Sequence, residues 1–141
     1  MKKISYFNEK GYSLVEVLAV IVILGFIASI GLLTFSNVIA KSKDKTFVNN
    51  ALTIIHAADL YLNDEKVADR NSLTQITYKD LYKLNFINEF HDPYTGKVLT
   101  PSEETYVEVA DGKITKVFLN GENHNLYSEI DKISVDLIKN K

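Results

Sequence analysis

The residue whose chemistry stands out in this sequence is Glu16, a carboxylate set inside a long apolar stretch. It lies near the front of the segment GYSLVEVLAVIVILGFIASIGLL, residues 11–33, and the next charged residue after it is Lys41. An ionisable side chain is costly inside a bilayer, so its presence there indicates a functional site and requires a named partner. The apolar run contains no lysine or arginine that could pair with Glu16. The natural partner of Glu16 is a positive charge at the same depth, and its own helix supplies none.

The other side chains able to do chemistry are scattered along the chain. His56, His91 and His124 lie far apart and do not have the spacing of metal ligands. The 141 residues include no cysteine, which excludes disulfides, thiolate catalysis and cysteine metal sites. The sequence also has no glycine-rich phosphate loop and no serine or threonine nucleophile motif. We therefore predict no enzyme activity, no cofactor and no metal site.

Two segments, a short leader and an apolar helix, must position Glu16. The leader, MKKISYFNEKG, is basic because it holds three lysines against one glutamate. Behind Glu16, residues 17–40 carry no charged side chain. As a helix this run is roughly 36 Å long, enough to cross a hydrocarbon core of about 30 Å. Because a lysine-rich flank keeps its end of a span in the cytoplasm, we expect the rest of the chain outside.

The plain alternative at this point is an uncleaved signal anchor. Small residues lie within the apolar run, at Ala19, Ala28 and Ser29, but no convincing signal-peptidase site follows the run. The aliphatic residues behind Glu16 offset the insertion cost of a carboxylate near the interface. Hydropathy alone leaves this alternative open.

The register of the head segment favours a more specific interpretation. The sequence GYSLVEV, residues 11–17, resembles the cleavage and methylation motif of type IV pilins and pseudopilins, with Tyr12 where phenylalanine is commoner. The resemblance implies that a prepilin peptidase cleaves between Gly11 and Tyr12 and methylates Tyr12. It also implies that Glu16 of one subunit pairs with the Tyr12 amine of its neighbour in a filament. A subunit docked out of register would then leave a buried charge unpaired, which is costly.

The helical pattern continues past the apolar run and predicts one helix from about Ser13 to about Asp64. Beyond Lys41 the apolar residues recur at three- and four-residue steps, so this half should lie on a small globular domain. The predicted inward positions are Phe47, Ala51, Ile54, Ile55, Ala58, Tyr61 and Leu62, and the predicted outward positions are Lys45, Asn49, Thr53, His56, Asp59 and Asn63.

Two features of this helix leave alternatives open. Gly25 and Gly31 lower helix propensity and permit either close packing of helices or, by the resemblance, local melting on assembly. The proline that often follows the first glycine in pilins is replaced by Leu33. The lysines within residues 41–45 permit a nucleic-acid contact. We favour a solvated helix end, because no interleaved aromatic array accompanies them.

The C-terminal region predicts a small antiparallel sheet. Asp111-Gly112 lies between two β-rich runs and is a strong hairpin signal. Residues 126–138 permit a strand or a helix, and we favour the helix. The other predicted elements are a loop over 67–77, a short helix over 78–84 with Leu81 and Leu84 inward, a turn over 92–96, strands over 105–110 and 113–119, and a turn at 120–121.

Together these patterns predict an α+β fold in which a long N-terminal helix packs on a small antiparallel sheet. We predict a leader over 1–11, a transmembrane or filament-core helix over 12–40, and an extracytoplasmic pilin-like domain over 41–141. The resemblance implies a structural subunit of a bacterial type IV pilus-like filament, held first in the cytoplasmic membrane and then at the cell surface. The implied partners are the prepilin peptidase, other copies of the chain and other pilins, a membrane assembly platform, and the lipid bilayer before assembly.

Two alternatives remain at the level of function. A pseudopilin of a type II secretion or competence (DNA-uptake) machine would share the motif, and nucleic acid would be a ligand only in the competence case. The missing cysteines disfavour a competence pseudopilin, many of which are disulfide-bonded, and the net charge of -2 gives no electrostatic footprint for nucleic acid. A membrane-anchored binding module that never polymerises is the alternative from another class, and it would keep its leader.

Overall fold

The computed structural model of the chain describes residues 11–64 and 72–141. The predicted leader up to residue 10 and residues 67–71 of the predicted loop lie outside the described residues, as do the side chains of residues 31–34. The chain divides into two compact units, Met1–Ile39 and Ala40–Lys141.

The first element is one α-helix, α1, over Leu14–Asn63, which confirms the predicted helix to within one residue at each end. Its apolar front half is long and apolar enough to cross a membrane, with a mean hydropathy of 2.8 over 18 residues. The helix is continuous through Gly25, where the Ser29 hydroxyl donates to the Gly25 carbonyl oxygen at 2.8 Å.

The back half of α1 is amphipathic as predicted. Of the seven positions predicted to face inward, six are buried and Tyr61 is half-buried. All six positions predicted to face outward are exposed. The 3.6-residue period determines this face, because residues three and four apart lie on one side of a helix.

A five-stranded antiparallel sheet provides the other layer of this unit, in the order β1-β4-β5-β6-β7. Valine and leucine side chains of its central strands share one hydrophobic core with the buried face of α1, which confirms the α+β prediction. The elements are β1 Gln75–Thr77, α2 Tyr78–Lys83, β2 Phe90–His91, β3 Val98–Leu99, β4 Tyr106–Ala110, β5 Lys113–Asn120, β6 His124–Glu129 and β7 Ile138–Asn140, and β2 and β3 form a separate two-stranded sheet.

The β4–β5 hairpin turns at Asp111-Gly112, as predicted. Both residues adopt positive φ angles, 52° at Asp111 and 70° at Gly112. Positive φ at both central residues is the requirement of the type I′ turn, which matches the twist of the flanking strands. Asp-Gly meets that requirement with little strain, so the local sequence was sufficient to predict this connection.

The predicted helix over residues 126–138 is wrong. Residues up to Glu129 belong to β6, which pairs with β5, and two 3₁₀ turns at 130–132 and 135–137 then lead into β7. Leu126 and Ser128 are buried while Tyr127 and Glu129 are exposed, the alternation of a half-buried strand. The backbone groups of β6 form hydrogen bonds with β5, the strand on the other side of the turn at Gly121. The apolar spacing within 126–138 could not show this pairing.

Two smaller predictions also fail. The predicted loop over 67–77 ends in strand β1, whose three residues pair with β4. Leu84 is 50 % exposed, although Leu81 is fully buried as predicted.

The end of α2 explains why Leu84 points outward. Asn85 adopts a φ of 61° and donates its N–H to Tyr82, and Phe86 donates to the Leu81 carbonyl at 2.9 Å. These bonds form a Schellman motif, which reverses the chain after a helix. Phe86 therefore takes the place beside the core, where its ring meets that of Tyr61 at 5.5 Å.

The predicted turn over 92–96 is confirmed, and a buried carboxylate holds it in place. Asp92 has no exposed surface. Its Oδ1 accepts from the N–H groups of Tyr94 at 2.8 Å and Thr95 at 3.3 Å, and its Oδ2 accepts from the N–H of Glu122 at 3.0 Å. One side chain thus joins the β2–β3 loop to the β5–β6 turn.

Tyr94 attaches the same loop to α1. Its ring stacks on His124 with centroids 3.7 Å apart and contacts the Phe47 ring at 5.6 Å. Its hydroxyl donates to Asp44 Oδ1 at 2.6 Å. Burial, followed by the hydrogen bond that the hydroxyl donates to Asp44, raises the pKa of Tyr94 well above its usual value, so the hydroxyl stays a proton donor.

We expect Gly121→Ala to destabilise this junction. A Cβ there would lie 2.7 Å from the Phe47 ring, 2.8 Å from Asp92 Oδ2 and 2.9 Å from the His124 carbonyl oxygen. Overpacking of this kind costs about 1–3 kcal/mol, so the thermal midpoint of the globular unit should fall by roughly 5–15 °C. Gly25→Ala is the matched control, because its Cβ would meet no atom within 4 Å. Equal melting of both variants in near-ultraviolet circular dichroism would contradict the close packing described.

Candidate processing and assembly site

The predicted cleavage site lies directly before α1 and is open to solvent. Gly11, Tyr12 and Ser13 precede the first helical residue, and the Tyr12 side chain is 81 % exposed. A Cβ at Gly11 would meet no atom within 4 Å. Packing among the described residues therefore does not require glycine at this position.

Glu16 has a local partner that the sequence reasoning missed. The Ser13 N–H donates to Glu16 Oε2, and the Glu16 N–H donates to Ser13 Oγ, both at 3.4 Å. This reciprocal arrangement is a capping box, in which a serine and a glutamate three residues later satisfy the first free N–H groups of a helix. The Ser-x-x-Glu spacing before an apolar run is its sequence signal.

The capping box is a weak and exchangeable interaction. Both bonds are longer than the usual 2.9–3.0 Å, and both are exposed to solvent. In the described part of the chain no ion pair involves Glu16, which agrees with the absence of a cation in the apolar run. The carboxylate lies in the first turn of α1, where the positive end of the helix dipole favours it. It remains available to a stronger, cationic partner.

The front half of α1 presents an exposed apolar surface. Over residues 14–30 and 35–40 the side chains on every side of the helix are exposed, with Leu14 at 89 % and Val17 at 46 %. Isolated soluble domains rarely expose patches of this size, so another apolar phase must cover them. A helix that is apolar all round is typical of a membrane span or a core among other helices.

The three histidines considered in the sequence do not come together in the structure. His56 and His91 are exposed on different elements, and His124 stacks on Tyr94. Among residues 11–64 and 72–141, no group of three or more metal-ligating side chains is placed to hold an ion. In the segment 41–45, the Lys43 ammonium donates to the Tyr94 carbonyl at 3.4 Å.

Comparison with known protein families supports the motif that was identified at the N-terminus of the chain. Residues 6–32 match the model of the prokaryotic N-terminal methylation motif. The matched segment contains Gly11, Tyr12 and Glu16, and the match confirms the resemblance stated from the sequence. No curated protein and no solved structure matches the chain.

Proposed function

We propose that this chain, which carries the prepilin signature of type IV pilins and pseudopilins, is a structural subunit of a type IV pilus-like filament. A prepilin peptidase cleaves it between Gly11 and Tyr12 and methylates the new amine of Tyr12. The observation that carries the proposal is the arrangement at the head of α1: an exposed Gly-Tyr pair, a carboxylate in the first turn, and an exposed apolar helix behind them.

The exposed apolar surface of α1 suits two environments in succession, first the lipid of a membrane and then the neighbouring helices of a filament. Before assembly the chain is held in the cytoplasmic membrane as a single span, with the leader inside and the domain over 41–141 outside. In the filament the neighbouring helices replace the lipid. The membrane assembly platform and other pilins are the partners that this transfer requires.

Cleavage gives Glu16 the partner that its own helix lacks. Removal of the leader creates an α-amino group on Tyr12, which stays attached to the apolar helix. Glu16 of one subunit then pairs with the Tyr12 amine of the next and gives up its weak bond to the Ser13 N–H. This ion pair fixes the register between neighbouring subunits, because a misplaced subunit leaves an uncompensated charge in an apolar core.

Filaments in the native host test the proposal. Shearing should release polymers that contain this chain and that electron microscopy resolves as thin filaments, and Gly11→Val should abolish them by blocking cleavage. Tyr12→Phe is the matched control, since it keeps an aromatic first residue and should assemble normally. Abundant processed protein with no filament on the surface or across the envelope would contradict the proposal.

A further inference from the structure

The face of the five-stranded sheet that points away from α1 carries a row of three aromatic rings. Tyr106, Phe118 and Tyr127 lie directly opposite one another on β4, β5 and β6. Their ring centroids are 5.5 Å and 6.2 Å apart. Side chains alternate along each strand, and their neighbours Val107, Val117, Leu119 and Leu126 occupy the core face.

All three rings are partly open to solvent. Tyr127 is 47 % exposed, and the other two are half-buried. The solvated face of an antiparallel sheet is usually polar, since the opposite face already provides the core. Cross-strand aromatic pairing explains why the rings touch. It does not explain why three of them occupy a face with no contribution to the core.

Polar rows flank the aromatic row on both sides. On one side Lys116 pairs with Glu108 at 3.5 Å, and the Tyr127 hydroxyl donates to Glu108 at 3.2 Å. The Lys116 ammonium also lies 5.6 Å from the Tyr127 ring centroid. On the other side the Asn120 amide donates to the Glu104 carboxylate, and Asn125 lies beside Asn120 in register. Hydrogen-bonding groups therefore border the rings along the whole row.

An open cleft continues the row beyond Tyr127. It has a volume of about 400 Å³, and its lining includes Lys116, Tyr127, Lys132, Ser134 and Leu137. The first 3₁₀ turn forms part of its wall, held by an ion pair between Lys132 and Glu129 at 2.6 Å. Concave sites that combine an aromatic wall with a few placed polar groups are typical of small-ligand binding.

Two lysine–glutamate pairs lie on this face, and they bear on the kind of ligand it suits. Two of the carboxylates, on Glu108 and Glu129, are already paired with lysines of the same face. Binding of a nucleic acid depends on free cations that neutralise phosphates, and Lys116 and Lys132 are each paired with a glutamate.

From these features we propose that the outer sheet face binds a neutral glycan. Sugar rings stack their C–H faces on Tyr127, Phe118 and Tyr106, and their hydroxyl groups bond to the carboxylates and amides of the flanking rows. The row spans two strand spacings, about 10 Å, a length that suits a short oligosaccharide. Strand faces bind oligosaccharides in other small β-rich folds. The proposal does not depend on cleavage or on filament formation.

Saturation-transfer NMR on the full chain tests this proposal directly. The protein is held in lauryldimethylamine oxide micelles, whose head group contains no sugar, and is titrated with maltohexaose, cellohexaose and chitohexaose. Saturating the aromatic protons of the protein should transfer signal to the C–H protons of at least one oligosaccharide. If none of the three receives signal, the proposal is overturned.

Matched variants locate the binding. Tyr127→Leu should weaken the responding oligosaccharide roughly three- to tenfold, and Phe118→Leu should act in the same direction. Tyr82→Leu is the control, because Tyr82 is similarly exposed at 41 % but lies on α2. Unchanged melting temperatures establish that each variant is folded. Equal affinity of Tyr127→Leu and wild type would overturn the proposal. Displacement of the glycan by a thymidine oligonucleotide would also overturn the proposal. So would loss of binding when copies of the chain are prevented from associating through this face.

Discussion

Replacing Glu16 with glutamine is expected to abolish filament assembly while leaving the protein cleaved and inserted in the membrane. Glutamine retains an oxygen for the Ser13 N–H, since the capping box accepts Glu or Gln. It removes the negative charge that the Tyr12 amine of the neighbouring subunit would meet. An unpaired ammonium in the apolar core costs about 3–5 kcal/mol per subunit, which lowers the affinity of each added subunit by roughly two to four orders of magnitude.

Ser13→Ala is the matched variant for this prediction. It removes the hydroxyl that accepts the Glu16 N–H at 3.4 Å but keeps the carboxylate. Filament yield in sheared fractions, normalised to the amount of processed chain in the membrane, should stay within a few-fold of wild type. Normal yield from Glu16→Gln would contradict the ion pair. Equal loss from Ser13→Ala would assign the role of Glu16 to helix capping.

The second large effect is expected from Asp92→Ala in the globular unit. Three partly buried backbone N–H groups, from Tyr94, Thr95 and Glu122, would lose their acceptor, which is a side chain with no exposed surface. Each unsatisfied donor costs about 1–3 kcal/mol, and a cavity adds to the loss. We expect a decrease of roughly 3–5 kcal/mol in the free energy of unfolding, a large share of the 5–15 kcal/mol typical of a domain.

Two variants separate this effect from a change in surface charge. Asp92→Asn keeps an oxygen for Tyr94 and Thr95 but turns an amide N–H toward the Glu122 N–H, so its loss should be smaller than that of Asp92→Ala. Asp136→Ala removes an exposed carboxylate and should melt with the wild type. Thermal melts followed by near-ultraviolet circular dichroism should therefore rank the variants in this order. A midpoint for Asp92→Ala within about 3 °C of wild type would contradict the role assigned to Asp92.

Local pattern was sufficient for α1 and for the head of the chain. The helix was predictable because its front half is a long uncharged apolar run and the apolar residues of its back half recur at three- and four-residue steps. The N-terminal motif was recognisable because a glycine, an aromatic residue and a carboxylate stand in fixed register. The Asp111-Gly112 turn was predictable for a similar reason, since its backbone angles depend on those two residues.

In other parts of the chain, the local structure depends on contacts that the local sequence pattern does not show. Residues 126–129 form a strand because β5 supplies their hydrogen-bond partners in register, whereas their own spacing also permits a helix. Leu84 points outward because Asn85 reverses the chain and brings Phe86 beside Tyr61. The importance of Asp92 depends on the N–H of Glu122, thirty residues away. The capping box differs from these cases, because its Ser-x-x-Glu signal is local. That signal overlaps the cleavage motif, which by itself accounts for the same residues.

The central claim is that this chain is processed as a prepilin and that its cleaved end enters a filament. Mass spectrometry of the intact protein and of its N-terminal peptide, purified from the native host, tests that claim most directly. We predict a mature chain that begins at Tyr12, with the mass of one added methyl group on its α-amine. A chain that keeps residues 1–11, in a host whose prepilin peptidase cleaves other substrates, would contradict the account.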